Sequence, residues 1–224
     1  MNTLLVNEVF ESIQGEGSFT GVPSIFVRLQ GCLVGCPWCD TKHTWEVEQD
    51  DERDSMVIMQ ETTDTSHYFS ATPEQLFELF ASQGYTAKHI VITGGEPCMF
   101  DLRPFTQLAK DKGFNTQIET SGTYQVLCHE DTWVTLSPKI NMPGGKVVRE
   151  DALYRANEIK HAIAMEKHIE ELEELLKKRV HTSQPVIYLQ PISMQKRATD
   201  LAVATCIKKN WRLSLQTHKF IGVE

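Results

Sequence analysis

The sequence predicts an α/β fold: a parallel sheet of βα units curled into a partial, open barrel of the (β/α)6 TIM-like kind. Three observations lead there. Short apolar strands alternate with helices from Pro73 onward, the pattern of a parallel sheet covered by its crossovers. About six such strands suit an open barrel better than the full eight-unit one, which takes ~250 residues. The unusual residues also gather where strands end, the place where such folds carry their sites. With 224 residues, the chain reads as one domain, 1–224.

The first strand is Ser24 to Gln30, whose alternation leaves Arg28 as a lone charge in an apolar setting. A loop with three cysteines follows at once. Glu46 to Thr72 is acidic and then rich in Thr and Ser, which reads as a surface insertion, mobile in part, with Met56 to Met59 docking locally. Pro73 to Gln83 is a helix, with Thr72 as N-cap, Pro73 in its first position, and Gly84 ending it. His89 to Thr93 is a buried strand that turns at Gly94-Gly95. Leu102 to Lys112 is a helix, Phe114 to Glu119 a strand, and Trp133 to Leu136 another, running into Ser137-Pro138-Lys139. A short helix over Asp151 to Asn157 and a strand over Glu158 to Ile163 come next. Glu166 to Arg179 is an amphipathic helix with Ile169, Leu172, Leu175 and Leu176 on one face. Val186 to Gln190 is a strand, Gln195 to Lys209 a helix, and Trp211 to Gln216 the last strand.

Composition narrows the function. An apolar fraction of 41% and a charged fraction of 23% are those of a water-soluble globular protein. A net charge of −8, with no basic stripe, argues against direct nucleic-acid binding. No apolar run is long enough to span a membrane, and the N-terminus lacks the basic and apolar regions of a secretion signal. The expected location is therefore cytoplasmic. In that reducing setting, tight clustering of Cys32, Cys36 and Cys39 favours metal binding over disulfides. Cys98, Cys128 and Cys206 are scattered and read as small buried side chains.

The spacing C-x3-C-x2-C, with Trp38 just before the third cysteine, carries the chemistry. Thiolates are the soft ligands that iron–sulfur clusters need. Three of them hold three irons of a 4Fe-4S cluster and leave the fourth iron open. The loop resembles the cluster motif of the radical S-adenosylmethionine enzymes, in which the open iron chelates that cofactor. A Cys3His zinc site with His43 is the competing reading. Thr93-Gly94-Gly95-Glu96-Pro97 is a second match to that superfamily, whose Gly-Gly-Glu segment contacts the cofactor's amino group. Arg28 needs an anionic partner, either an internal carboxylate or a substrate carboxylate held bidentately. Gln14-Gly15-Glu16-Gly17 suggests a loop whose backbone faces a planar polar ligand, and the Thr41 hydroxyl is a candidate ligand for a hard cation. His218 and Lys219 either line the pocket or lie on the surface.

Together, Gln14 to Gly17, Arg28, Cys32 to Trp45, Thr93 to Cys98, Ile118 to Gly122 and Ser137 to Lys139 resemble the 7-carboxy-7-deazaguanine synthase family, in its enterobacterial type. The resemblance runs from Asn7 to near the C-terminus and is weakest over Glu46 to Thr72. It implies a carbon–nitrogen lyase of queuosine and 7-deazapurine biosynthesis. The substrate is then 6-carboxy-5,6,7,8-tetrahydropterin, whose C6 hydrogen the 5′-deoxyadenosyl radical takes before the ring contracts and ammonia leaves. It implies that Ile13, Gln14 and Gly15 hold the pterin, Arg28 its carboxylate, and that Thr93 adds a contact. Trp38, Cys39, Asp40, Gly95, Ser137, Pro138, Lys139 and Gln190 would contact S-adenosylmethionine, and Thr41 would bind Mg2+. It also implies a homodimer and a flavodoxin or ferredoxin as electron donor. A small glycyl-radical-enzyme activase and a zinc-binding regulatory module are the alternatives.

Overall fold

The computed structural model describes residues 3–179 and 184–223, apart from the side chain of Met194. In chain order the elements are β1 (Leu4–Ile13), β2 (Pro23–Leu29), α1 (Ser55–Ile58), β3 (Phe69–Ala71), α2 (Pro73–Ser82), β4 (His89–Gly94), α3 (Arg103–Asp111) and β5 (Asn115–Thr120). Then come β6 (Trp133–Leu136), α4 (Glu150–Arg155), β7 (Glu158–Ile163), α5 (Glu166–Lys177), β8 (Val186–Pro191), α6 (Lys196–Lys209), β9 (Arg212–Leu213) and α7 (Thr217–Ile221). The strands form one sheet in the order β3-β1-β2-β4-β5-β6-β7-β8-β9. From β2 to β9 each neighbour is parallel, as the helix-strand alternation predicts.

Local chemistry explains the helix starts. Thr72 Oγ1 accepts from Gln75 N at 3.4 Å while the Gln75 side chain returns a bond to Thr72 N at 2.8 Å, a complete capping box ahead of Pro73. The apolar faces of α2 and α3 then pack Leu76, Phe77, Phe80 and Phe105 onto the outer face of β1, β2 and β4. A second apolar cluster lies beneath α4, α5 and α6, built on Leu153, Ile169, Leu172 and Ala202 against Ile159 and Leu189.

The structure adds a strand that the sequence pattern does not show. β1 runs antiparallel to β2, with a register shift between Val6 and Glu8. That bulge breaks the two-residue alternation by which a strand is read. β1 in turn pairs with β3, so the end of the Glu46 to Thr72 stretch is not a surface insertion. Ile58, Tyr68, Phe69 and Ala71 are buried, and the buried Asn7 side chain donates to the carbonyls of Thr65 and His67 at 2.9 and 2.8 Å. At the other end, the strand expected over Trp211 to Gln216 shortens to two residues, and α7 follows it.

The sheet curls enough for its two sides to meet. Gly15, in the β1–β2 loop, accepts at its carbonyl from Thr217 N at 3.0 Å and from Thr217 Oγ1 at 2.9 Å. In the same loop, Phe19 packs at a tilt against His89 and edges onto Trp133, with ring centroids 4.4 and 5.2 Å apart. The partial barrel is thus plugged at its base, and its concave interior opens at the carboxyl ends of the strands.

Candidate active site

One cavity of about 500 Å3 occupies that open end. From the N-terminal part of the chain Ile13, Gln14, Gly15 and Arg28 line it. The loop after β2 contributes Cys32, Cys36, Trp38, Cys39, Asp40 and Thr41. Thr93 and Gly95 come from the end of β4, Ser137 and Lys139 follow β6, and Gln190 is the last residue but one of β8. Pro138 is the one expected site residue that does not reach the wall. His218 and Lys219, for which the sequence left two readings, both line the cavity.

The cysteine loop is clamped on each side. Gly31 N donates to Thr44 O at 2.7 Å and Cys32 N to Trp45 O at 2.9 Å, closing the loop on itself. The buried Gln30 side chain crosses its base, donating to the carbonyls of His43 and Glu46 at 3.1 and 2.7 Å. Gly144 N reaches Val34 O at 3.2 Å from the far side. Trp45 Nε1 donates to Cys39 Sγ at 3.4 Å, and Thr41 Oγ1 lies 3.6 Å from the same sulfur.

These residues fit a 4Fe-4S cluster. The three thiols face one cavity, and the indole N–H supplies a hydrogen bond of the kind that tunes cluster thiolates. Burial pushes the Cys32 thiol up to about 11 and also raises Cys36, against the pull of Lys139. Cluster iron would supply the positive charge that deprotonates them. The zinc reading finds no such support. Among the described residues, no three of His, Cys, Asp and Glu gather round a single-ion position. A four-iron cluster asks for thiolates on three separate irons, not on one ion. His43 faces Asp64, 4.0 Å away, rather than the cavity.

The residues of the Gly-Gly-Glu segment divide between the cavity and the sheet. Gly95 is at the cavity wall, but Glu96 turns inward and is buried. It accepts from Cys98 N at 3.0 Å, Thr120 Oγ1 at 2.6 Å and Ser121 N at 2.8 Å, and also from Ser121 Oγ. The carboxylate therefore ties the ends of β4 and β5 together. Arg28 has an internal partner and a free edge: Nε donates to Glu8 Oε2 at 2.7 Å across the β1–β2 pair. Among the described residues no hydrogen bond uses its two Nη groups, which leaves that edge of the fork for an anion in the cavity.

Three residues deeper in the cavity escaped the sequence reading as a group. Lys160 Nζ bridges Glu16 Oε2 at 2.5 Å and Glu119 Oε2 at 2.9 Å. Glu16 also accepts from Gln190 at 3.3 Å and Gln216 at 2.9 Å. The Lys160 ammonium holds the Glu16 carboxyl down to about 2 against the opposing effect of burial. Burial wins at Glu119, which rises to about 7, with Glu16 and Glu158 adding repulsion. The available signal was a pair of charges, Glu158 and Lys160, spaced two apart on a buried strand, which marks a polar barrel interior.

Comparison with known proteins agrees with this geometry. A family model described as a 4Fe-4S single cluster domain matches residues 13–127. The 7-carboxy-7-deazaguanine synthase of Escherichia coli (strain K12) is 54% identical over 97% of this chain and 98% of its own. That of Synechocystis sp. is 36% identical over 97% of this chain and 92% of its own. The crystal structure of QueE from Escherichia coli superposes with a TM-score of 0.94 at 53% identity, covering 96% of this chain and 94% of that one. The chain belongs to the 7-carboxy-7-deazaguanine synthase family.

Proposed function

We propose that the cavity carries 7-carboxy-7-deazaguanine synthase activity in queuosine biosynthesis, converting 6-carboxy-5,6,7,8-tetrahydropterin with loss of ammonia. The observation that carries this reading is the sharing of one wall by three cluster thiols and the open edge of Arg28. A radical generator alone needs the first; a small carboxylated substrate explains the second.

Cys32, Cys36 and Cys39 would hold the cluster. When bound and reduced, it cleaves S-adenosylmethionine to the radical that starts the reaction. Trp38, Cys39, Asp40, Gly95, Ser137, Lys139 and Gln190, which line the cavity, would hold that cofactor. Lys139 Nζ donates to Ser137 Oγ at 2.7 Å, which ties the two side chains together on the cavity wall. Arg28 would orient the substrate carboxylate, and the Ile13 to Gly15 backbone with Thr93 would face the ring. Phe10 and Phe26, stacked with centroids 4.8 Å apart, form an apolar wall beside Arg28 and exclude water there. The Thr41 hydroxyl supplies one neutral oxygen for Mg2+, which typically completes its shell with substrate oxygens and water. A homodimer, a flavodoxin or ferredoxin donor and a cytoplasmic location complete the proposal. Thiolate-bound iron favours such a reducing compartment, and no described helix is long and apolar enough to cross a membrane.

Anaerobic reconstitution with iron and sulfide, then incubation with S-adenosylmethionine, a reductant, Mg2+ and the carboxylated pterin, tests the reading. Mass analysis should find 7-carboxy-7-deazaguanine with no protein substrate present, which also separates it from an activase. Cofactor cleavage without that product would overturn it.

A further inference from the structure

We propose that Glu119 is a proton-transfer residue of the ring contraction, taking the proton that ring carbon C7 loses and handing it to the departing nitrogen. The inference rests on the substrate assigned above.

Position comes first. Arg28 pairs with Thr93 across β2 and β4, and Ile92 pairs with Ile118 across β4 and β5. Arg28, Thr93 and Glu119 therefore stand level on three adjacent strands, and all three line the cavity. Two strand spacings separate the outer pair by about 10 Å at the backbone, a span that a carboxylated two-ring heterocycle held at Arg28 fills once the side chains converge. Glu119 is also held in place: Oε1 accepts from Gln117 Nε2 at 2.9 Å and Oε2 from Lys160 at 2.9 Å.

Charge comes second. Glu16 and Glu119 share a single ammonium, and the fully buried Glu158 stands two residues below Lys160 on β7. His218, on α7, faces Glu16. Arg28, Lys139, Lys219 and Asp40 also line the cavity, but among the described residues Lys160 is the one cation that contacts Glu16 or Glu119. Two buried carboxylates on one ammonium raise the proton affinity of one of them. Glu16 has three hydrogen-bond donors and stays ionised. Glu119, the most readily protonated, is the one whose proton affinity lies near 7. Two carboxylates driven apart in this way mark a stabiliser and a proton carrier.

The chemistry requires such a carrier. The tetrahydropterin carries two hydrogens on C7, and the contracted aromatic ring keeps one. The other leaves as a proton while its electron pair enters the new double bond. The C6 hydrogen is taken as an atom and, because the carbon that bore it carries none in the product, it too must end on the departing nitrogen. With the hydrogen already on that nitrogen and the C7 proton, the three make ammonia. Substrate equals product plus ammonia, so the conversion is redox-neutral and a carboxyl that first accepts and then donates the C7 proton closes the balance.

Glu119→Gln keeps the shape but carries no exchangeable acid. The reconstituted variant should bind its cluster and cleave S-adenosylmethionine in the presence of the pterin, while product formation falls about 100-fold or more, the range of lost acid–base catalysis. The pH–rate limb near 7 should vanish. Glu119→Asp should restore part of the rate with a displaced limb. Product formation close to that of the wild type with an unchanged limb in Glu119→Gln would overturn the assignment. So would an unmoved limb in Glu119→Asp, which decides the matter should the Gln variant not fold. Wild-type turnover of the pterin, measured alongside, reads the substrate assignment separately.

Discussion

Gly95 lies so close to Gly31 that a Cβ at position 95 would sit 2.1 Å from the Gly31 carbonyl oxygen. Gly95 N also donates to Leu29 O, and Glu96 N to Gly31 O, each at 2.8 Å. Gly94 is no freer, with φ at +112° and its Cβ position 2.2 Å from Leu29 N. The glycine pair is therefore required by the seat of the cysteine loop, whatever ligand lies beyond it. Gly95→Ala should push the loop off the sheet and destabilise the fold by about 1–3 kcal/mol, the usual cost of overpacking. Iron and sulfide per chain after reconstitution should fall, and thermal melting of the unloaded chain should show the loss of stability.

Trp45 should tune the cluster rather than hold it. Its indole N–H reaches Cys39 Sγ at 3.4 Å, and a hydrogen bond to a cluster sulfur favours the reduced, more negative state. Trp45→Phe keeps an aromatic ring and loses the donor. The expected outcome is normal iron content with a lower midpoint potential in a redox titration followed by electron paramagnetic resonance. An unchanged potential would remove Trp45 from that role.

On the proposed reading, replacing Arg28 should separate substrate orientation from radical generation. Arg28→Ala should leave the cluster loaded and cofactor cleavage running without coupling, because neither needs the guanidinium. Most product formation should be lost. The change also strands Glu8, which bonds to Arg28 Nε, so Arg28→Lys is a useful companion: charge remains but the two-pronged fork does not. Quantifying 5′-deoxyadenosine against product in both variants reads the split.

The Glu16–Lys160–Glu119 set should shape stability against pH from both sides. Glu16 is held below its ordinary value of 4.5, at about 2. Its contribution is present above 4.5 and is lost as pH falls towards 2. Glu119 is raised from 4.5 to about 7. The folded chain then holds the extra proton between those values, so stability falls as pH rises through that window. The set thus predicts a maximum between the two limbs in denaturant melts. Glu16→Gln should flatten the acid limb and Glu119→Gln the upper one. Lys160→Met should weaken the fold most near neutrality, where it leaves buried carboxylate charge unpaired.

Much of this was legible in the chain. The helices follow from their caps and apolar stripes, as the Thr72–Gln75 capping box illustrates. Arg28 and the cysteines stand out because a charge on an apolar strand and three clustered thiols have few other uses. What stayed hidden needs contacts far apart in sequence. β1 is concealed by its bulge, and β3 is readable only once β1 is there to pair with it. The tie that Glu96 makes between β4 and β5 could not be read either, because its four donors come from Cys98, Thr120 and Ser121.

The sequence by itself determined the class of fold, the clustering of the three thiols and the family, because those depend on spacing within a few residues and on periodic burial. Only the tertiary structure decided how the charges pair. Glu16, Glu119 and Lys160 lie on a loop and two different strands, and curling of the sheet brings them within 2.5 to 2.9 Å. Electrostatic coupling depends on distance and exclusion of water, neither of which a linear pattern encodes.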